Sequence, residues 1–417
     1  MHATGAKLLS QEGRPALPTL LADSPPDRFV LYAVLNNPSV VAAYYDWRAS
    51  VEEIVPARSL PDPQFVFQAD ITHTLSSFMP GLMFDFMGSG KREAMGHEAT
   101  ATTNVARRAY ISAVLNSAAE ARKAWIEVAF VDEAIRLKEM SVGSLEASLA
   151  IADTDYSTGR GMGTLADQVR IANQLAQTRS ELGSLADHRT SARAHLKSAM
   201  GLAPADLDPA WPKAALNPTA ILSAEELWRR ASEANPELGR MRTMVEMAVS
   251  GVEVAHKSGH PDFTLGGMVD LRTNPTLFRP LATLNLPIWR EKIAAVIAAA
   301  EARRDASVAR LSAEQINLAA ELAQMLYMVR DSDRMIAYVD DDALPNFDRA
   351  IATAEAAYQT GAASAGMIPE TQFMAFAMRL ERLGALRERE NAATDLMLLT
   401  ADVAPVGSPI PKMPPDS

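Results

Sequence analysis

The second half of this sequence repeats the first half. Four short motifs recur in the same order, each at an offset of 198 to 202 residues. The matched pairs are Asn37-Pro38 with Asn235-Pro236, Ala57 to Pro63 with Ala255 to Pro261, Tyr156 to Gly159 with Tyr358 to Gly361, and Leu182 to Leu185 with Leu383 to Leu386. A duplication of this length makes each half one supersecondary unit and predicts that the two halves fold alike.

Composition narrows the class of protein. The chain has 417 residues, enough for two or three domains, with 48% hydrophobic residues and only 6% aromatic residues. It contains no cysteine, which excludes disulfides and a lipid-accepting cysteine. Its net charge of -11, without a clustered basic face, argues against a nucleic-acid partner. No apolar run reaches the length of a transmembrane helix, and Met1 to Pro26 does not resemble a signal peptide, so composition alone favours a cytosolic protein.

Each half contains two segments in which apolar and polar residues alternate. The apolar positions are Phe65, Phe67, Ala69, Ile71, Leu75, Phe78, Leu82, Phe84 and Phe86, then Phe263, Leu265, Val269, Leu271, Phe278, Ala282, Leu284 and Leu286. This period of two predicts one hairpin per half, with strands near 63–87 and near 261–287. The strands are about 9–11 residues long, which is the length that a tilted strand needs to cross a bilayer. A soluble hairpin with one buried face explains the alternation equally well.

Long helices follow each hairpin. Residues 91–155 and 288–344 contain no proline, and a continuous helix over the first segment would be roughly 100 Å long. A seam at spacings of three and four predicts close helix packing; it comprises Ile111, Val114, Ala118, Ala121, Trp125 and Val128. Glycine-rich turns near 156–163 and 358–366 lead into return helices. We therefore expect an N-terminal extension (1–27), a first repeat (28–204), a linker (205–222), a second repeat (223–402) and a disordered tail (403–417).

The sequence contains no recognisable catalytic motif. Gly88 to Lys91 lacks the flanking residues of a phosphate-binding loop, and His97-Glu98 lacks the second histidine of a zinc-protease helix. We therefore predict that the chain is not an enzyme and holds no cofactor. Met79, Met83, Met87 and Met95 crowd the first hairpin; thioethers can bind Cu(I), but methionine is also a common core filler, and no metal site is predicted.

Acidic residues stand beside both glycine turns. Asp153 and Asp155 lie at the predicted C-terminal end of the first long helix, and Glu355 occupies the position equivalent to Asp153. The helix dipole disfavours a carboxylate at this end. An acidic residue at this position in both repeats is compatible with a functional role and, equally, with solvated acids at the edge of a loop.

The order of elements, read twice, resembles the TolC-like outer-membrane efflux family over residues 28–402. The strings that carry this resemblance are Leu35 to Pro38, Ala57 to Pro63, Gly90 to Arg92, Leu286 to Trp289, Leu344-Pro345 and Tyr358 to Gly361. The short hairpins and the Asp-Pro entry resemble most the heavy-metal branch of that family. Many relatives carry a lipidated N-terminal cysteine, which is missing from this sequence.

The resemblance implies a mainly α fold with a small β part. Three copies would form an α-barrel tunnel in the periplasm and one shared transmembrane β-barrel in the outer membrane. The homotrimer would be the passive exit duct of a tripartite pump, working with a periplasmic adaptor and an inner-membrane pump to export metal ions or small toxic compounds. The alternative is a soluble or peripheral coiled-coil scaffold that kept the architecture without export.

The resemblance also implies roles for the two glycine turns. They would form the periplasmic tips where the adaptor docks, and the nearby acids Asp153, Asp155 and Glu355 would narrow the opening. The expected docking residues are Tyr156, Thr158, Gly159, Arg160, Tyr358, Thr360 and Gly361.

Overall fold

The computed structural model describes residues 16–71, 75–158, 164–213, 215–360 and 367–410. Within these ranges, the side chains of residues 71, 75 and 76 are not described. The chain divides into two compact units. Unit 1 contains residues 1–41, 113–235 and 318–417, and unit 2 contains residues 42–112 and 236–317.

Helices make up most of the described chain, and four strands form one sheet. The helices are α1 Pro26–Asn36, α2 Pro38–Glu52, α3 Ile54–Arg58, α4 Lys91–Thr158, α5 Leu165–Ala199, α6 Ala224–Ala234, α7 Pro236–Lys257, α8 Arg290–Ala337, α9 Leu344–Gln359 and α10 Met367–Leu399. The strands are β1 Gln64–Ile71, β2 Leu75–Phe86, β3 Asp262–Asp270 and β4 Leu277–Asn285. Both predicted hairpins, the long helix of the first half and both return helices are therefore confirmed.

The second long helix continues past Pro345. Helix α8 runs through a six-residue π-helix, Tyr338–Ala343, directly into α9. A proline removes the amide that would bond the carbonyl four residues earlier. The π-helix lies just before this proline, and the amide of Leu344 bonds the Val339 carbonyl five residues back, so the chain stays helical up to Pro345.

The predicted seam of α4 is buried. Within unit 1, Val114, Ala118, Ala121 and Val128 are completely covered, and Trp125 is nearly so. Small alanine side chains let a neighbouring helix approach closely, which explains why an Ala-rich stripe can still form a core. Among the described residues, no helix is both long enough and apolar enough to cross a membrane.

The two repeats end in the same way, as the duplication predicts. The side-chain amide of Asn37 donates to the carbonyl of Ala199 at the end of α5, and that of Asn235 donates to Leu399 at the end of α10. Asn37 also accepts a hydrogen bond from the Ser39 amide and is therefore the N-cap of α2. Each Asn-Pro pair therefore starts one helix and satisfies the last carbonyls of another.

The backbone after each return helix turns left-handed. Gly201 has φ +70° after α5, and its equivalent in the second repeat, Ala401, has φ +61° after α10. In both places the next amide bonds a carbonyl five residues back, Leu202 to Lys197 and Asp402 to Met397. This is the Schellman pattern, in which glycine is the residue without a steric penalty. Ala401 therefore carries strain that Gly201 does not.

The sheet is antiparallel, in the order β1-β2-β3-β4. The two hairpins meet where β2 pairs with β3 in unit 2, and β1 and β4 are the outer strands. Residues that pair directly on neighbouring strands point to the same side of the sheet. A polar or apolar pattern in one strand therefore continues in the next.

Candidate functional site

One face of the sheet is apolar from edge to edge and exposed. In the paired residues with described side chains it consists of Phe65, Phe67, Ala69, Phe78, Pro80, Leu82, Phe84, Phe86, Phe263, Leu265, Gly267, Val269, Phe278, Pro280, Ala282 and Leu284. Phe65 and Phe67 each keep 68% of their surface exposed. The predicted apolar parity is confirmed at these positions. Ile71 was predicted on the same face, and its side chain is not among those described.

The opposite face carries a short polar ladder. Asp85 on β2 accepts a hydrogen bond from Thr264 Oγ1 on β3 at 2.6 Å and one from Gln64 Nε2 on β1 at 2.9 Å. Thr283 on β4 stands directly opposite Thr264, which extends the row across all four strands. Gln68 and Asp70 lie on β1 at the same parity as Gln64.

A second carboxylate on this face is buried and fully paired. Asp270, 2% exposed, accepts from Ser77 Oγ at 2.9 Å and from the Arg272 amide at 3.0 Å. Ser77 lies at the start of β2, so this contact joins the two hairpins at the end of the sheet remote from Asp85. The polar face is thus held together by hydrogen bonds within the sheet.

A third carboxylate fixes the turn between β2 and α4. Asp262 accepts from the Gly88 amide at 2.7 Å and from Lys91 Nζ at 2.8 Å. The intervening Gly90 has φ +75°, a conformation that residues with a side chain adopt reluctantly. The glycines that superficially resemble a phosphate loop therefore form a strand-to-helix turn, which agrees with our interpretation of the sequence.

The helix ends of unit 1 bring together acidic residues from both repeats. Asp155, only 9% exposed, accepts a hydrogen bond from Tyr358 Oη at 2.9 Å. Asp153 is exposed and accepts from Gln168 Nε2 at 3.0 Å. Glu355 is exposed to solvent. Of the two acids on α4, Asp155 is thus a buried, hydrogen-bonded group. Only Asp153 fits the interpretation of a solvated acid at the edge of a loop.

An ion pair that sequence reasoning missed lies beside these acids. Arg170 on α5 donates to Glu370 on α10 at 2.5 Å and to Asp167 at 3.2 Å. Asp167 also completes a capping box with Thr164 at the start of α5. The sequence string from Thr164 to Asp167 could have indicated the cap, but nothing local indicates that residue 170 meets residue 370.

Four of the predicted docking residues lie at the described helix ends. Tyr156 is exposed, Thr158 donates to the Thr154 carbonyl, and Thr360 donates to the Ala356 carbonyl. Tyr358 is the exception, because its hydroxyl is engaged by Asp155. Gly159, Arg160 and Gly361 lie outside the described residues.

We use the name tip cluster for the group Asp153, Asp155, Asp167, Arg170, Glu355, Tyr358 and Glu370. Five of these residues carry a carboxyl group and one carries a guanidinium, which pairs with Asp167 and Glu370, so the cluster is rich in acidic residues. The described side chains include no group of three or more His, Asp or Glu residues arranged to hold a metal ion.

Comparison with known proteins supports the resemblance. Residues 227–402 match the family model described as "Outer membrane efflux protein". No functionally curated protein is detectably similar to the chain in sequence.

Solved structures match nearly the whole chain. CusC is 16% identical with a TM-score of 0.75 over 93% of this chain and 97% of its own. A membrane protein from Pseudomonas aeruginosa is 19% identical with a TM-score of 0.76 over 93% and 95% of the two chains. The CmeC outer membrane channel of Campylobacter jejuni is 14% identical with a TM-score of 0.74 over 91% and 86%.

At these identities the structures establish the fold, and the family model adds a match in sequence. The predicted mainly α fold with a small antiparallel sheet is confirmed. Residues 227–402 are similar to the outer membrane efflux protein model, and the chain as a whole has the TolC-like fold of the solved outer membrane channels.

Proposed function

We propose that this protein is an outer-membrane channel and the passive exit duct of a tripartite efflux pump. The observation that carries the proposal is the sheet with one wholly apolar, exposed face and one polar face. An exposed apolar face of this size would promote aggregation in water, whereas the outer surface of a membrane barrel must be apolar where it contacts lipid. A soluble scaffold has no use for it.

The edges of the sheet support a homotrimer. The hydrocarbon core of a bilayer does not tolerate an open sheet edge, so β1 and β4 need partners there. Because β1 and β4 run in opposite directions, β4 of one copy can continue antiparallel with β1 of the next. Three copies give a closed barrel with an even strand number, built on heterologous contacts around a three-fold axis.

The dimensions of the strands agree with a membrane position. A nine-residue strand is about 30 Å long. Tilted by about 40°, it covers roughly 23 Å, close to the apolar band of about 25 Å in outer-membrane barrels. Strands β3 and β4 have nine residues each.

We assign the tip cluster to the periplasmic end, where the duct narrows and an adaptor docks. Around a three-fold axis the exposed acids Asp153 and Glu355 would each occur three times at the opening, while Asp155, which is buried, would act there through its contact with Tyr358. Rings of carboxylates favour cations over anions in a pore. This supports metal ions as cargo within the wider class of metal ions or small toxic compounds. The exposed Tyr156, Thr158 and Thr360, together with Gly159 and Gly361, would meet the adaptor of the inner-membrane pump.

Fractionation of the native host tests the main proposal. The protein should be recovered in the outer membrane as a detergent-requiring trimer, and deletion should sensitise cells to the exported compounds. Recovery as a soluble protein would instead favour the coiled-coil scaffold.

Planar-bilayer recordings test the role of the tip. The wild-type pore should be cation-selective with low conductance, and Asp153→Asn with Asp155→Asn should reduce that selectivity. Arg160→Ala should raise conductance by weakening the closed state. Full cation selectivity in the double variant would show that these acids do not line the opening.

A further inference from the structure

Three methionines gather on the polar face of the sheet, around Gly81. Met79 and Met83 lie two residues to either side of Gly81 on β2, and Met268 on β3 stands directly opposite it. All four residues share one face because side chains alternate along a strand and paired residues share a face.

Two glycines create the space that the methionine side chains occupy. A Cβ added to Gly81 would lie 2.4 Å from Met268 Cγ, and a Cβ added to Gly266 would lie 2.8 Å from Met83 Cγ. Met268 therefore leans over β2 and Met83 leans over β3, and the two side chains pass each other across the strand pair. This reciprocal arrangement brings the thioether of Met268 to the ladder that already carries Met79 and Met83.

The distribution of methionine between the two faces is one-sided. The apolar face, in its described positions, is built from Phe, Leu, Val, Ala, Pro and Gly, with no methionine. The polar face also carries Val66 opposite Gly81 and Leu281 opposite Gly266, so what distinguishes the methionines from these apolar neighbours is the thioether sulfur. On the polar face Met79 is fully buried and Met83 and Met268 are partly exposed.

The charged neighbours on the same face do not exclude a cation. Arg279 on β4 stands opposite Met268, while Asp85 lies two residues beyond Met83 and Asp270 two residues beyond Met268. Asp70 on β1 stands opposite Ser77, two residues before Met79, so three carboxylates accompany one guanidinium around the methionines.

We propose that Met79, Met83 and Met268 form a contact site for a soft monovalent metal ion, Cu(I) or Ag(I). Thioethers are soft ligands that select such ions over Zn(II) or Mg(II), and they bind without losing a proton. The inference rests on the proposed function, in which this face lines the lumen. A neutral thioether site there suits transit, because a conducting site must bind strongly enough to admit an ion and weakly enough to release it.

Calorimetric titration of Ag(I) into the purified full-length protein, in detergent and chloride-free buffer, tests the site. The variant Met79→Leu, Met83→Leu, Met268→Leu should raise the Kd for Ag(I) by about tenfold or more. Leucine keeps most of the volume, so assembly should survive. If the triple variant does not assemble, Met268→Leu alone should still weaken Ag(I) binding.

A matched variant controls for the loss of three methionines elsewhere. Met140→Leu, Met244→Leu, Met335→Leu changes three separate helices and should leave Ag(I) binding unchanged, and Zn(II) should not compete with Ag(I) in the wild type. If the sheet variant binds Ag(I) like the wild type, the methionines only pack against the glycines and the proposal is wrong. Binding is measured on purified protein, so this outcome is separate from failure of outer-membrane localisation.

Discussion

Replacing Leu265 by arginine tests which face of the sheet meets lipid. Leu265 lies near the middle of β3, on the apolar face, between Phe84 of β2 and Ala282 of β4. About half of its surface, 47%, is exposed in the single chain. In the proposed barrel that exposed half contacts acyl chains close to the bilayer midplane.

The expected penalty follows from the depth. Arginine on the lipid face costs about 2–4 kcal/mol at the midplane and about 0–1 kcal/mol near the interfaces. Leu265 lies near the midplane, and three copies of it belong to one barrel. The folding free energy of the trimer should therefore be less favourable by roughly 6–12 kcal/mol. Per chain, about 2–4 kcal/mol corresponds to roughly 30- to 1,000-fold less assembled protein at equilibrium.

The neighbouring residue is the matched control. Thr264 points to the opposite face, where its hydroxyl lies 2.6 Å from Asp85 Oδ1. An arginine there meets a carboxylate and water instead of lipid, so Thr264→Arg should assemble nearly as the wild type does. Phe67→Arg and Gln68→Arg on β1 form a second pair with the same expectation.

The assay is the fraction of heat-labile trimer recovered from outer membranes, followed by urea unfolding of the purified variants in lipid vesicles. Leu265→Arg should reduce both the trimer fraction and the free energy of unfolding, while Thr264→Arg should change neither greatly. Equal behaviour of the two variants would refute the assignment of faces, since the residues differ in orientation and hardly in depth.

Three further predictions concern unit 1. Tyr358→Phe removes a hydrogen bond to a buried carboxylate, worth about 1.5–3 kcal/mol, and should raise the open probability of the pore in planar bilayers. Ala401→Gly should raise the free energy of urea unfolding by about 1 kcal/mol by relieving a positive φ, whereas Gly201→Ala should lower it, because the new Cβ would lie 2.7 Å from a backbone oxygen. Lys138 donates to Glu181 and holds the pKa of that carboxyl below 4.5, so the pair stabilises above pH 4.5 and loses its effect as pH falls through the lowered pKa. The difference in Tm between wild type and Lys138→Met should therefore be constant near neutral pH and shrink below pH 4.5.

The elements were predictable because their signals are local. Alternation at positions such as Phe65 and Phe67 specifies a strand from neighbouring residues alone, and the glycine turns and Asn-Pro pairs mark where helices stop and start. Because of the duplication, each of these local signals occurs twice, once in each repeat. The contact of each Asn with the end of a return helix is the structural form of that repeat.

The tip cluster was only partly predictable, since its contacts are long-range. Asp155 was a candidate acid because of its position at the end of α4. In the described chain it accepts a hydrogen bond from Tyr358, about 200 residues away, and Arg170 pairs with Glu370. Neither contact can be predicted from the spacing of neighbouring residues in the sequence.

The junction between the repeats shows most clearly why such contacts cannot be predicted from the sequence of one half alone. Strand β2 ends the first hairpin and β3 begins the second, so the pairing of β2 with β3 joins residues that no single repeat contains. Gly81 faces Met268 and Met83 faces Gly266, each methionine filling the space its glycine partner leaves, and Asp85 accepts from Thr264. The features that make the repeat visible in sequence are those the copies kept, while the groups that give this face its chemistry are those in which they differ.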